Sequence, residues 1–290
     1  MTTKTDNMEH THSNPDQTSD VTRILNRLLL SSLSLVLAFI LAQLFLQFMV
    51  YAFSGIVGIS ATFGYNDVLV PMDFHIWRRF YVMIVNLLPQ FICLVIALFL
   101  YSTLAPNRSE KRPFQMFAYW LMICLLNNFL SHLLFSVLGM IDEHSQFYQT
   151  FARAALWLYV PVAVAMIFPV LAVLGAFFAG FLLTPQTVRL AHTRRLTQDK
   201  HGKNLLVIQY YVLPYIISIV PLLLLSKSTT WLRMSIILLN LGILPLGMFF
   251  RNSLGPYHVE FEKTNHGNRF PAIELALSVS LMLVVYFFLK

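Results

Sequence analysis

About seven long apolar stretches divide this chain, and they constrain its fold more than any other feature. A helix needs about 20 mostly apolar residues to cross the hydrocarbon core of a bilayer, and within lipid it satisfies its own backbone hydrogen bonds. The stretches cover residues 28–56, 80–104, 114–140, 155–183, 205–225, 231–250 and 271–289. They predict an all-α fold, a polytopic transmembrane helix bundle with about seven spans, for which six or eight spans are the alternatives.

The balance of residue types excludes a soluble domain. Hydrophobic residues make up 57% of the chain and charged residues only 11%, whereas a soluble fold needs a polar exterior. A net charge of +7 would indicate a nucleic-acid partner in a soluble protein. In a membrane protein the same charge is typical of basic cytoplasmic loops, so we expect no nucleic-acid partner.

The basic residues also predict how the chain is oriented. Most of the 20 Lys and Arg residues fall on the side of the N-terminus when the predicted spans alternate, which places the N-terminus in the cytoplasm. Residues 1–24 are polar and predict a disordered cytoplasmic tail, and residues 25–290 form the transmembrane helical domain. Residues 58–79 combine turn-forming residues with aromatic ones such as Phe63 and Trp77, and they predict a short outer segment at the bilayer interface.

Pairs of polar side chains, mostly spaced four residues apart, occur in the first three predicted spans. They are Gln43, Gln47, Asn86, Gln90, Asn127, Asn128 and His132. An i, i+4 spacing puts two side chains on one helix face, and an amide in hydrocarbon must find a hydrogen-bond partner. We expect these faces to point inward and to join the helices, or alternatively to line a polar cavity.

His132 is the ionisable member of this group, and an intramembrane ionisable residue can mark a functional site. A zinc centre needs several ligands, and a general base usually needs an orienting carboxylate. The predicted spans hold no Asp, and their one acid is Glu274. We therefore predict no catalytic residue, no metal site and no cofactor, with a membrane-embedded enzyme that uses His132 as a less favoured alternative.

A basic loop between the fourth and fifth predicted spans is a candidate contact site. Its basic residues are Arg189, His192, Arg194 and Arg195. Such a cluster beside a span attracts anionic headgroups, at about 1 kcal/mol per basic residue. We expect membrane lipids, including anionic headgroups, to contact this loop, and we expect another membrane protein as a further partner.

Three features between about residue 30 and residue 185 follow one another as they do in a known family. After the first span and its interfacial segment, the second span contains VNLLPQFICLVIALFLY and the third reads WLMICLLNNFLSHLLFSVLGMIDEHSQ. This order resembles the site-2-protease-like membrane metalloprotease superfamily, especially its small bacterial members, with Asn128-Phe129 and Asp142 matching its third-helix pattern. The family's zinc helix carries His-Glu-x-x-His, whereas the first span here reads LAQLFLQF at Leu41–Phe48. The resemblance therefore implies a non-catalytic relative.

Taken together, these features predict a multi-pass protein of a bacterial inner membrane without a catalytic centre of its own. We expect a structural or accessory subunit that binds another membrane protein or lipid. The alternative is a transporter or channel component with a polar cavity at the middle of the membrane. A subunit of the first kind should have its buried amides paired and dry, whereas a transporter should have them accessible to water.

Overall fold

The computed structural model contains eight helices in the part of the chain that it describes. The described residues are 15–64, 68–70, 77–104, 112–142, 151–190, 199–226, 230–255 and 272–288. The helices are α1 (Pro15–Ile56), α2 (Arg79–Leu104), α3 (Arg112–Leu134, continued by Ser136–Ile141), α4 (Phe151–Trp157), α5 (Val162–Arg189), α6 (Lys200–Leu225), α7 (Thr230–Ser235, Ile236–Ile243 and Leu244–Ser253) and α8 (Ala272–Phe288).

The prediction of an all-α polytopic bundle is confirmed. Six of the described helices, α1, α2, α3, α5, α6 and α7, are long and apolar enough to cross a membrane. The seventh predicted stretch forms α8, whose 17 residues include the shorter apolar run Leu275–Val285. We call the end of the bundle at which α1 begins the near end, and the opposite end the far end.

The first helix begins earlier than the sequence predicts. α1 starts at Pro15, so residues 15–24 of the predicted disordered tail are helical. Proline suits the first helical turn because its missing N–H would have no partner there. Residues 1–14 of that predicted tail lie outside the described residues.

The fourth predicted span also has a different start. The sequence predicts one span from residue 155, whereas the structure has the short α4 followed by α5 from Val162. Pro161 precedes α5 with extended backbone, and Tyr159 adopts a left-handed φ of 56° in the turn between the two helices. Proline cannot donate a helical hydrogen bond, so the chain ends α4 before it and starts the span after it.

α3 is the central helix of the bundle. In its 18-residue apolar stretch 72% of the residues are buried, against 17% in the corresponding stretch of α5. Its Trp120 is fully buried, stacks on Tyr211 of α6 at 5.4 Å between ring centroids, and donates a hydrogen bond of 2.9 Å to Ser31 of α1. The neighbouring Tyr119 shares a 2.6 Å hydrogen bond with Thr187 of α5. One pair of aromatic residues thus joins α3 to three other helices.

α5 and α7 approach each other so closely that glycine is required at the contact. A Cβ atom added to Gly180 would lie 2.0 Å from the carbonyl oxygen of Leu244, and one added to Gly247 would lie 2.1 Å from that of Phe177. Without a hydrophobic drive between helices in lipid, small residues permit the close packing that holds them together. We call the contact of these four residues the glycine seam.

Among the described residues, three helices contain a widened, π-helical segment, and each of these segments ends two residues before a proline. The segments are Met83–Leu87 before Pro89, Ile208–Val212 before Pro214, and Ile236–Ile243 before Pro245. A proline ring collides with the carbonyl four residues earlier, and a wider turn relieves that collision. The carbonyl of Asn240, in the third segment, accepts a 3.0 Å hydrogen bond from the hydroxyl of Tyr211, in the second.

The predicted interfacial segment is only partly described, and its last residues fold against the bundle. Thr62 and Leu69 form one antiparallel bridge, whereas residues 65–67 and 71–76 lie outside the described residues. Trp77, which the sequence predicts at the bilayer interface, is only 4% exposed. The guanidinium carbon of Arg153, on α4, lies 4.0 Å from the centre of its ring. A cation held over an aromatic face is favourable, and apolar packing against Ile59, Val82 and Val85 buries the ring as well.

Candidate functional site: buried amides between the first three helices

The polar residues predicted inside the spans all lie in the interior of the bundle. Their exposed fractions are 1% for Gln43, 5% for Gln47, 8% for Asn86, 0% for Gln90, 5% for Asn127, 3% for Asn128 and 8% for His132. They belong to α1, α2 and α3. They are buried because each of these helices turns its polar i, i+4 face away from the bundle surface. The structure therefore collects polar groups in a region that is otherwise apolar.

Asn127 and Asn128 of α3 reach two other helices. The amide nitrogen of Asn127 donates to the hydroxyl of Ser235 on α7 at 3.4 Å, and that of Asn128 donates to the carbonyl of Ala42 on α1 at 3.3 Å. Both distances lie beyond the usual 2.7–3.2 Å of an N–H···O hydrogen bond, so the two links are weak.

Other contacts place Gln43 and Gln90 at the level of these asparagines. Gln43 directly follows the residue whose carbonyl accepts the Asn128 hydrogen bond. Gln90 directly precedes Phe91, whose ring centroid lies 5.6 Å from that of Phe129. A neighbour of each glutamine thus contacts α3, Ala42 at Asn128 and Phe91 at Phe129.

Gln43 and Gln90 differ from the asparagines in their hydrogen bonding. The oxygen and the nitrogen of both side-chain amides are buried, and none of these atoms has a hydrogen-bond partner among the described residues. The amide oxygen of Asn127 is in the same position. A buried polar group left without a partner costs about 1–3 kcal/mol, so these atoms place a substantial free-energy penalty on the dry bundle.

The other predicted polar residues lie around these amides. The Asn86 amide nitrogen donates to the carbonyl of Val82 at 3.0 Å, within the widened turn of α2. Gln47 lies one turn beyond Gln43 on α1, and His132 lies one turn beyond Asn128 on α3. The site thus offers amides, one imidazole and nearby hydroxyls, which donate and accept hydrogen bonds without carrying a fixed negative charge.

No group of three or more His, Cys, Asp or Glu side chains that could hold a metal ion occurs among the described residues. Aspartate and glutamate are absent from all six candidate spans. The described interior offers uncharged hydrogen-bonding groups in its amides, hydroxyls and imidazole, and it also contains buried basic residues such as Arg153.

The segment Leu41–Phe48 has two faces. Its apolar residues, together with residues of α2 and α3, line a groove of about 410 Å3 formed by Leu41, Leu44, Phe45, Phe48, Ile96, Leu121 and Leu125. Helical spacing puts Gln43 and Gln47 on the other side of α1, where both are buried. This segment therefore supplies one apolar and one amide-bearing surface.

The predicted basic contact site is described only at its first residue. Arg189 ends α5, whereas His192, Arg194 and Arg195 lie outside the described residues. The structure also places Lys203 of α6 and Arg251 of α7 at the near end, next to the 2.9 Å hydrogen bond that Asn252 donates to Asn204. Sequence reasoning missed this pair because its members are far apart in the chain and each reads as an ordinary basic residue beside a span.

Comparisons with known proteins identify no relative: no protein-family model, no curated protein and no solved structure matches this chain. The resemblance to the site-2-protease-like superfamily consequently stays a prediction.

Proposed function

We propose that this protein is a multi-pass protein of a bacterial inner membrane that binds a small uncharged polar solute, or a file of water molecules, between α1, α2 and α3. This is the role of a transporter or channel component. The observation that carries the proposal is the pair of buried amides, Gln43 and Gln90, whose polar atoms have no hydrogen-bond partner among the described residues.

A purely structural role accounts less well for these two glutamines. Interhelical amides stabilise a membrane bundle only when they are paired, and leaving them unpaired in a low-dielectric interior is costly. A leucine or methionine at either position would fill similar space without this cost. A bound solute or water that donates and accepts hydrogen bonds supplies the missing partners, and the glutamines then serve as its binding groups.

The absence of acids from the candidate spans favours an uncharged ligand over a metal cation. A desolvated cation needs several oxygen ligands and compensating negative charge, whereas an amide offers one acceptor and two donor hydrogens. A neutral molecule with both a donor and an acceptor can satisfy the oxygen and the nitrogen of such an amide.

Cysteine labelling tests whether the amides meet water. In a variant whose two native cysteines are replaced by alanine, Gln43→Cys and Gln90→Cys should react with a small membrane-impermeant thiol reagent in intact cells or vesicles. Ala38→Cys on α1 and Ala97→Cys on α2 are matched controls, because these positions are 0% and 3% exposed and lie in apolar surroundings. Equal protection of all four cysteines would show a dry interior and would contradict the proposal.

A second candidate function, an accessory subunit that binds another membrane protein or lipid, is favoured by the surface of α5. Only 17% of the residues in its 18-residue apolar stretch are buried, and the helix exposes large side chains such as Val170, Leu174 and Phe178. Purification in mild detergent distinguishes this role, since a subunit should arrive with a stoichiometric partner. Recovery of the chain alone, together with thiol labelling of Gln43→Cys and Gln90→Cys, would favour the solute-binding function.

A further inference from the structure

α2 consists of two parts that belong to separate apolar clusters. The far part, residues 79–87, contributes Val82 and Val85 to a cluster that also contains residues of α4 and of the segment after α1. The near part, Leu88–Leu104, contributes its buried apolar side chains to the main core of the bundle. The π-helical segment Met83–Leu87 lies at the junction of the two parts. Because each part packs in its own cluster, the near part can move while the far part keeps its packing.

The backbone of α2 is weakest at this junction. Pro89 has no N–H with which to bond the preceding turn. One bond of the widened turn comes from a side chain, since the amide nitrogen of Asn86 donates to the carbonyl of Val82 at 3.0 Å. A π-helical turn beside a proline is typical of helix kinks and of functional hinges. The junction is therefore the point at which the near part can pivot.

A narrow face holds the near part against the bundle. Its buried residues Gln90, Cys93 and Ala97 recur at helical spacing, with exposed fractions of 0%, 0% and 3%. On the opposite face Val95 and Phe99 are 63% and 64% exposed. A small residue buries less apolar area than a leucine or a phenylalanine, so separating this face from its neighbours costs comparatively little.

In its present position the near part closes off the amide of Gln90. Both amide atoms are buried without a hydrogen-bond partner among the described residues, so a solute can reach them only after the surrounding helices separate. Space for a movement lies beside the near part, because Ile96 lines the groove of about 410 Å3 together with residues of α1 and α3. The ring centroid of Phe91 lies 5.6 Å from that of Phe129 on α3 and 6.1 Å from that of Phe151 on α4. These aromatic contacts hold the near part in place.

We propose that the near part of α2 is a gate over the Gln90 amide and that it opens by pivoting at Met83–Leu87. The gate deepens the proposed function and rests on it, because it is the route by which a solute or water reaches the amide. Opening separates Phe91 from α3 and α4 and moves the exposed face of α2 farther into the lipid. The far part and its cluster stay in place.

Distances between two spin labels test this movement in the full chain, reconstituted in nanodiscs with its native cysteines replaced by alanine. One label at Phe178→Cys on the exposed face of α5 is the reference, and the second is at Phe99→Cys in the near part. Phe80→Cys in the far part, which is 67% exposed, is the matched control for the second label. We expect a broad or two-peaked distance distribution for the near part and a single narrow one for the far part. Equally narrow distributions would refute the gate.

The rate of thiol labelling at Gln90→Cys tests whether the movement controls access. Phe91→Ala removes the aromatic contacts and should raise the rate by about three- to tenfold. Pro89→Ala restores a backbone donor at the pivot and should lower the rate by about three- to tenfold, as expected for one hydrogen bond. Pro214→Ala, which follows the π-helical segment of α6, is the matched control and should leave the rate unchanged. Equal rates in all of these variants would overturn the gate.

The two measurements together separate the gate from the proposed function. A reactive Gln90→Cys in a chain whose α2 is rigid would overturn the gate and leave the proposed function supported. A mobile α2 in which Gln90→Cys is fully protected would contradict the proposed function, and the gate would lose its role with it.

Discussion

Replacing Gly180 by alanine tests how strongly the glycine seam determines the fold. The added methyl group would lie 2.0 Å from the carbonyl oxygen of Leu244 and 2.9 Å from its carbon. These atoms belong to the backbone of α7, so no side chain can turn aside. The two helices must separate by more than 1 Å to restore contact at ordinary van der Waals distance, which opens the packing along the whole seam.

We expect Gly180→Ala to lower the free energy of unfolding by about 1–3 kcal/mol or more, the range for overpacked cores. Alanine is the better helix former by about 1 kcal/mol, and this gain offsets only part of the loss. The measurement is reversible unfolding, or thermal denaturation followed by size-exclusion chromatography, in one detergent for all variants.

Gly55→Ala is the matched control for this change. Gly55 lies within α1, and a Cβ atom there has nothing within 4 Å, so alanine should be neutral or stabilising. Gly247→Ala should act like Gly180→Ala, because its Cβ would meet the carbonyl oxygen of Phe177 at 2.1 Å. Both changes push the same two helices apart, so the double variant should lose less than the sum of the single losses. Equal stability of Gly180→Ala and Gly55→Ala would refute the geometry on which this reasoning depends.

Three further changes probe other parts of the bundle. Gln90→Met should raise the free energy of unfolding by about 1 kcal/mol, because it removes an unpaired buried amide, and it should abolish solute binding or water access. A less stable variant would show that this amide has a partner. Tyr211→Phe should lower stability by about 0.5–1.5 kcal/mol through loss of the bond to the Asn240 carbonyl, and an unchanged midpoint in chemical denaturation would argue against that bond. Trp77→Leu should cost about 2–3 kcal/mol, because it removes both buried area and the ring beneath the Arg153 guanidinium, and a Tm equal to that of the wild type would contradict the contact.

The spans could be predicted from the sequence because the membrane imposes one simple requirement on each of them. About 20 apolar residues that satisfy their own backbone identify a helix without reference to any neighbour. The starts of α1 and α5 could not be placed by hydropathy alone, because Pro15 and Pro161 act on backbone hydrogen bonding rather than on polarity. The first residues of these two helices are therefore determined by backbone hydrogen bonding, which average hydropathy does not measure.

Contacts between helices were beyond the same reasoning. The small residues Ala172, Ala176 and Gly180 stand four apart and mark a face of α5 that can pack closely, yet nothing in their spacing says that α7 is the partner. The hydrogen bond from Asn252 to Asn204 is similar, because it follows from how α6 and α7 are placed beside each other. Side-by-side placement of spans depends on many weak contacts at once, and a single sequence does not give their sum.

The buried amides show this distinction most clearly. In sequence, Gln43 and Gln90 resemble Asn127 and Asn128: each is an uncharged amide inside an apolar run, with a polar neighbour four residues away. In the structure, both asparagines donate to groups on other helices, whereas neither glutamine has a partner among the described residues. Whether an amide is paired with another helix or left unpaired depends on the rotation of each helix and on which donors and acceptors face the amide. Only the assembled bundle determines these. The residue type locates a polar site in the membrane, and the pairing of its atoms decides what that site can bind.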